Sequence, residues 1–459
     1  MRTETFLSLA RIAAFGLLIT ACADSRRATV TGPPGGGRGQ TGIGQSTAAD
    51  FDAGVPVAYY DLSLRFSKQT AGFTPPVQGR AFGYMGLALY EAVVGGMPEN
   101  QSVAHQLNGV GALPTANEGI PYNWPLVANA AMAEVMRGLW GDQTNRAASN
   151  IADLNALEAS LESQYGVGVP PGIAKLSTDF GRSVGAAVFA TSRDDGGDRG
   201  YLTNFPTSYT PPTGAAFWVA TATGQVALQP FWAATVRTLA LSNSAECDPG
   251  APPAYSEQTG SAFYDEANLD YQLSKTLTPE QITIARYWAD GPGTISGPGH
   301  SLAIVNEIVM QQHANLAEAA EAYGRAGIAD ADALTAIWQA KYQYNLLRPV
   351  TYIRRVIDPT WTPLLPTPPF PEYVSAHSGQ SAAVALTLEA LFGENVAFVD
   401  HAHDADGFAS RSFNSIFAAA EEAGMSRLYA GIHFRSGNLN GQALGRCVAA
   451  KVNSLSWRR

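Results

Sequence analysis

An all-α fold is predicted by three observations: apolar residues recur at helical spacing over long segments, alternating strand runs are scarce, and the connections are rich in Pro and Gly. In chain order the helical segments are GRAFGYMGLALYEAVVGG (79–96), PLVANAAMAEVMRGLW (125–140), NIADLNALEASLESQYG (150–166), IAKLSTDFGRSVGAAVFA (173–190) and SLAIVNEIVMQQHANLAEAAEAYGRAG (301–327). They continue with DADALTAIWQAKYQYNLLR (330–348), GQSAAVALTLEALFG (379–393), FNSIFAAAEEAGMSRLYAG (413–431) and NGQALGRCVAAKVNSL (440–455). Between them lie long irregular stretches such as LLPTPPFPEY.

The composition is that of a globular chain, since 46% of its 459 residues are hydrophobic and only 15% charged. Its net charge of −10 leaves no broad basic face for nucleic acid, so any anion must be held by a local cluster of cations.

The opening MRTETFLSLARIAAFGLLITAC carries Arg2 and Arg11 before an apolar run from Ile12 to Ile19, the pattern of a secretory signal too short to span a bilayer. Its end, LITAC, resembles a bacterial lipobox, which implies lipid attachment at Cys22 and a periplasmic or outer-membrane lipoprotein. Residues 1–22 are then the signal and residues 23–50, rich in Gly, Ser, Thr and Pro, a flexible tether. Residues 51–459 form one domain without a further linker or repeat. Cys247 and Cys447 remain, and the sequence leaves their pairing open.

The chemistry concentrates in the last third. Lys341 and Arg348 in KYQYNLLRP are seven residues apart, which on a continuous helix places both on one face. Ser375 follows a Pro-rich loop and precedes an Ala-rich helix, where a hydroxyl caps and free N–H groups face an anion. In MSRLYAGIHFRSG, Gly431 between Arg427 and His433 can end a helix and turn the histidine back.

The order Lys, six residues, Arg-Pro, then Ser-x-His, then Ser-Arg, five residues, His resembles the signature of the superfamily joining vanadium-dependent haloperoxidases to type 2 phosphatidic acid phosphatases. The resemblance implies two four-helix bundles, with the anion site within residues 280–450. Lys341, Arg348, Ser375, the Ala376 N–H and Arg427 would hold vanadate or phosphate, with His433 as axial vanadium ligand or phosphohistidine nucleophile and His377 as acid–base group. Arg forks match oxyanion edges while Lys offers a point charge. YWADGPGT makes Asp290 the expected partner of Arg427, and Trp338 and Phe370 fall where chloroperoxidase-type members carry aromatic residues near the halide, or else are core.

Two departures from the family pattern stand out. Ala376 replaces the usual Gly between Ser375 and His377, and Gly437 stands where the phosphatases carry an Asp that orients the last histidine. Without it, phosphohistidine chemistry is expected to suffer more than metal ligation, with Gly437→Asp raising phosphatase activity; Asn438 or a carbonyl is the possible substitute. The leading expectation is peroxide-dependent halide oxidation on vanadate, with small-molecule substrates and no nucleic acid. Phosphoester hydrolysis at the same site, or a lipoprotein with a vestigial site, are the alternatives.

Other motifs are set aside. GRSVG (181–185) sits within a helical pattern and not on the strand–turn–helix of a nucleophile elbow. DHAHDAD (Asp400 to Asp406) reads as a solvated loop, GPGTISGPG before His300 lacks a Walker lysine, and His105, His300 and His313 receive no role.

Overall fold

The computed structural model describes residues 46–141 and 149–459. The signal reading of residues 1–22, with Cys22, lies outside them, as does the tether up to residue 45. Residues 46–50 already belong to the folded body, because Trp124 Nε1 donates to the Ser46 carbonyl and Ala48 is fully buried.

The helices run α1 (Gly54–Gln69), α2 (Pro75–Val93), α3 (Trp124–Gly141), α4 (Asn150–Tyr165), α5 (Pro171–Arg193) and the single turn α6 (Trp232–Thr235). They continue with α7 (Ala262–Lys275), α8 (Pro279–Tyr287), α9 (Ser296–Gln311), α10 (Leu316–Tyr344), α11 (Pro349–Val356), α12 (Ala376–Phe392), α13 (Ile416–Tyr429) and α14 (Arg435–Asn453). Helices α2, α3, α4 and α5 pack as one group and α10, α12, α13 and α14 as another. The two groups meet along α2 and α10, where the backbones approach closely: a Cβ on Gly86 would lie 2.3 Å from the Tyr323 carbonyl oxygen, and one on Gly327 2.5 Å from that of Phe82. GRSVG lies inside α5, as its helical pattern required. No helix among the described residues is long and apolar enough to cross a membrane.

Two breaks in the expected helices shape the site. The run 301–327 divides because Asn315 caps α10: its Oδ1 accepts from the Glu318 N–H at 3.0 Å while Glu318 accepts from the Asn315 N–H at 3.0 Å. The run 330–348 ends at Tyr344, since Asn345 adopts a left-handed φ of +47° and Pro349 opens α11. Lys341 and Arg348 therefore do not share a helix face; Lys341 lies in the last turn of α10 and Arg348 is the N-cap residue of α11. Helices α1, α6, α7, α8 and α11 are additions to the segments read from the sequence. The described residues contain one sheet, an antiparallel pair of three-residue strands, β1 (Phe398–Asp400) and β2 (Arg411–Phe413), which brackets the DHAHDAD loop.

The open question of the cysteines has an answer here. Cys247 and Cys447 form a disulfide, Cα–Cα 5.7 Å, joining the loop before α7 to α14 across a sequence separation of 200. A cross-link closing so long a loop restricts the unfolded chain, so the Cys247→Ser/Cys447→Ser double variant is expected to lose about 2–4 kcal/mol. Urea melts of the oxidised wild type and the variant measure it.

Candidate active site

The end of α10, the loop into α11 and the Pro-rich loop before α12 converge on Phe370. Lys341 Nζ and Arg348 Cζ each lie 4.9 Å from its ring centroid, so one aromatic residue carries two cations. Trp338 packs behind it, ring centroids 5.3 Å apart, and is itself buried with Nε1 on the Leu228 carbonyl at 3.3 Å. Phe370 thus lies against both basic groups, and Trp338 is a buried residue packed behind it.

Lys341, Arg348 and Arg427 are all essentially inaccessible, and none has a carboxylate within ion-pair distance among the described residues. Their donors go mostly to carbonyls. Lys341 Nζ donates to Pro371, Glu372 and Val374 at 3.1, 3.0 and 2.6 Å, which uses all three of its N–H groups. Lys341 therefore has no free donor for a further acceptor. Arg348 Nε donates to the Phe370 carbonyl and Nη1 to that of Ile432, both at 2.8 Å, whereas Nη2 is buried with no partner. Arg427 donates to the Ser426 hydroxyl at 2.9 Å and to the carbonyls of Ala285 and Trp288. Burial pushes Arg348 and Arg427 down to about 10 and Lys341 well below the usual lysine range, Lys341 also being repelled by Arg348.

His433 completes this cluster. Gly431, at φ +73°, ends α13 as its position required and returns the chain, so that His433 Nε2 lies 3.2 Å from Arg348 Nη1. Its Nδ1 sits 2.7 Å from Glu372 Oε1, which also accepts the Phe434 N–H at 3.1 Å. Burial, then Arg348, Lys341 and Arg427, hold His433 well below the ordinary histidine range. The ring is neutral, with Nδ1–H directed at Glu372 and the lone pair on Nε2 facing the cations.

Glu372 is the residue that sequence reasoning missed. It reaches His433 from the loop before α12 and performs the orienting task assigned to the Asp that this chain lacks at Gly437. Burial raises its carboxyl to about 7 against the pull of Arg348 and Lys341. Gly437 makes this possible, since a Cβ there would lie 2.2 Å from Glu372 Oε1. The expectation that His433 is unoriented, and that Gly437→Asp improves it, is thereby overturned. Asn438 is no substitute either: it accepts from Ser378 Oγ at 3.2 Å and donates to the Gly424 carbonyl at 2.6 Å. The only visible signal in the sequence is a lone carboxylate in the apolar, Pro-rich run PPFPEYV.

Ser375 caps α12 as expected: it is buried and its Oγ accepts the Ser378 N–H at 3.4 Å. The N–H groups of Ala376 and His377 in that first turn find no acceptor among the described residues. His377, with its side chain 18% exposed, has Nε2 3.0 Å from Asp290 Oδ2, and burial followed by repulsion from Arg427 lowers it to about 4.

Asp290 does not pair with Arg427. Its oxygens are taken by three histidines: His377 on Oδ2, and His300 Nδ1 and His403 Nε2 on Oδ1 at 3.1 and 3.0 Å. Arg427 meets instead the carbonyls at the end of α8 just ahead of Asp290, and feels that carboxylate only through its field. Nor is DHAHDAD simply solvated. Asp400 and His403 are buried, and His300 Nε2 is 2.9 Å from Asp400 Oδ2, while His401 pairs with Asp404 and Asp406 with Lys68 at the surface. His300, set aside earlier, is fully enclosed.

These residues fit a tetrahedral oxyanion. Lys341, Arg348 and Arg427 are buried with no carboxylate in ion-pair contact among the described residues, and Glu372 and Asp290 reach them only through their fields, so a bound anion relieves the cost of burying them. The orphaned Arg348 Nη2, the free N–H groups of α12 and the Nε2 lone pair of His433 supply donors and one nitrogen ligand.

Residues 322–458 match the family model of the VCPO second helical-bundle domain. The fold is similar to the crystal structure of a bacterial vanadium-dependent iodoperoxidase, with a TM-score of 0.78 and 30% identity over 90% of this chain and 97% of that one. Apo and holo forms of a bacterial vanadium-dependent chloroperoxidase share the fold at TM-scores of 0.63 and 0.60 and 16% identity, covering 84% and 83% of this chain and 95% of each of those. No curated protein sequence matches. The chain belongs to the superfamily of vanadium haloperoxidases and type 2 phosphatidic acid phosphatases. It is an enzyme of the haloperoxidase type.

Proposed function

We propose that the protein oxidises halide with hydrogen peroxide on vanadate bound among Lys341, Arg348, Ser375, Ala376, Arg427 and His433. The observation that carries this reading is a neutral His433 lone pair facing Lys341, Arg348 and Arg427, which are buried with no carboxylate in ion-pair contact among the described residues. Vanadate, when bound, supplies the Lewis acidity that activates peroxide toward a halide nucleophile. Glu372 holds the His433 tautomer that leaves Nε2 free to ligate. The guanidinium groups and Lys341 offset the anion's charge, and Phe370 beneath them keeps water from that side. His377, its Nε2–H turned to Asp290, carries its lone pair on Nδ1, and that atom takes the proton from incoming peroxide. A value near 4 keeps it in the base form at neutral pH.

A second reading, phosphoester hydrolysis through a phosphohistidine, draws support from the Glu372–His433 pair, which would orient a nucleophile as well as a ligand. One assay pair separates them: iodide oxidation after loading with orthovanadate, and release of a chromogenic phenol from its phosphate ester by the vanadate-free protein. Iodide is tested first because the 30%-identical relative is an iodoperoxidase. Vanadate-dependent iodide oxidation that His433→Ala abolishes is expected. Brisk ester hydrolysis with no halide oxidation at any vanadate loading would install the second reading.

We also propose attachment to the membrane through lipid on Cys22, supported by LITAC. Cys22→Ser is expected to release the protein from the membrane fraction; lipidated variant still found there would refute it.

A further inference from the structure

The cluster around Asp290 has the opposite polarity to the oxyanion site. Asp290, His300 and His403 bring Oδ1, Nδ1 and Nε2 within 4.8 Å of one another, all three residues buried. The two contacts to Oδ1, 3.1 and 3.0 Å, approach the separation of about 3.3 Å that ligand atoms have around a tetrahedral zinc at metal–ligand distances of about 2.0–2.1 Å. Such distances also suit hydrogen bonds, so the decisive feature is what each residue does with its other polar atom.

His300 places Nε2 on Asp400 Oδ2 at 2.9 Å, His403 places Nδ1 on Asp406 Oδ2 at 3.0 Å, and Asp290 places Oδ2 on His377 Nε2 at 3.0 Å. Each candidate ligand is thus held from behind. A carboxylate on the far nitrogen of each ligating histidine is the outer-shell arrangement that fixes tautomer and raises ligand basicity at zinc sites. The backbone is bent to present Asp290, a non-glycine residue at φ +46°, the kind of strained conformation that collects at functional sites. Aromatic walls close the remaining sides: Trp288 stacks on His300 at 4.2 Å and 17°, and Tyr287 turns its ring toward His300 and His403 at 5.5 and 5.2 Å.

Charge accounting points the same way. Both nitrogens of both rings face carboxylate oxygens, a negative surround that suits a cation. A divalent cation on Asp290 Oδ1, His300 Nδ1 and His403 Nε2 leaves the far nitrogen of each ring on its own carboxylate, Asp400 or Asp406. Vanadate is excluded from this place by Asp290, Asp400 and Asp406.

We propose that Asp290 Oδ1, His300 Nδ1 and His403 Nε2 bind a divalent transition-metal cation of the zinc class, separate from the oxyanion site and joined to it through Asp290 and His377. Both ligating nitrogens bind the ion through their lone pairs, with water completing the shell. The ion locks the carboxylate that holds His377, and so acts as a positioning element for the acid–base group.

The test is calorimetric titration of zinc chloride into full-length, chelator-stripped protein, with cobalt(II) as a spectroscopic probe. One equivalent of zinc, a rise in Tm on binding and visible cobalt absorption of low coordination number are expected. His403→Ala should weaken zinc binding by more than about 100-fold while orthovanadate still binds. Asp406→Asn leaves all three ligands in place at a partly exposed position and should weaken zinc about 10- to 100-fold, which keeps the test decisive if His403→Ala does not fold. Wild-type protein that takes up no zinc and shows no Tm shift, or zinc binding unchanged in both variants, overturns the proposal.

Discussion

Arg348→Ala is expected to lower orthovanadate affinity by about 30-fold or more, read by calorimetry and by loss of the vanadate-induced rise in Tm. Removing one partner of a buried, charge-assisted contact costs about 2–5 kcal/mol, and each 1.4 kcal/mol is about tenfold. Arg348 is chosen over Lys341 because its Nη2 is buried and unsatisfied whereas the three Lys341 donors are all engaged with carbonyls. It also donates to the Phe370 and Ile432 carbonyls and approaches His433 Nε2, so its loss disturbs the aromatic platform and the ligand together. Arg348→Lys keeps the charge without the fork and should fall between the two. Arg355→Ala, on the same helix but pairing with Glu257 near the surface, should bind as wild type. Unchanged affinity in Arg348→Ala would mean that the oxyanion sits elsewhere.

What the sequence made legible was local. Spacing within each motif is a property of one short segment, so Ser375 at its cap and the Gly431 return were readable directly. Fold class was readable for the same reason, since helical periodicity is internal to each helix. The errors arose where partners come from different elements. Lys341 and Arg348 looked like one helical face because periodicity does not register a left-handed residue such as Asn345. Asp290 was assigned to Arg427, but three histidines from α9, α12 and the β1–β2 connection compete for its two oxygens. His300, Asp400 and His403 are buried only because β1 and β2 fold their loop onto α9, a long-range event with no local signature.

Glu372 and Gly437 yield the sharpest consequence of that kind. Gly437→Asp, which restores the phosphatase residue on paper, is expected to destabilise the protein by about 2 kcal/mol or more, because overpacking of about 1–3 kcal/mol is joined by a second buried carboxylate beside the first. The clash is specific: a Cβ at this position would lie 2.2 Å from Glu372 Oε1, the atom that receives His433 Nδ1–H and the Phe434 N–H. Glu372→Ala alone should fold, since it leaves room, but should weaken vanadate about 10- to 100-fold by freeing the His433 ring. Combining the two changes opens the space that the introduced aspartate needs, so the double variant should be more stable than Gly437→Asp alone and recover part of the vanadate affinity lost in Glu372→Ala. Such coupling between neighbours is what a double-mutant cycle measures. Urea melts and orthovanadate titrations of the four proteins decide it. A Gly437→Asp protein of wild-type stability with raised phosphatase activity would show that Glu372 does not orient His433, and that the family's usual aspartate is the group the site lacks.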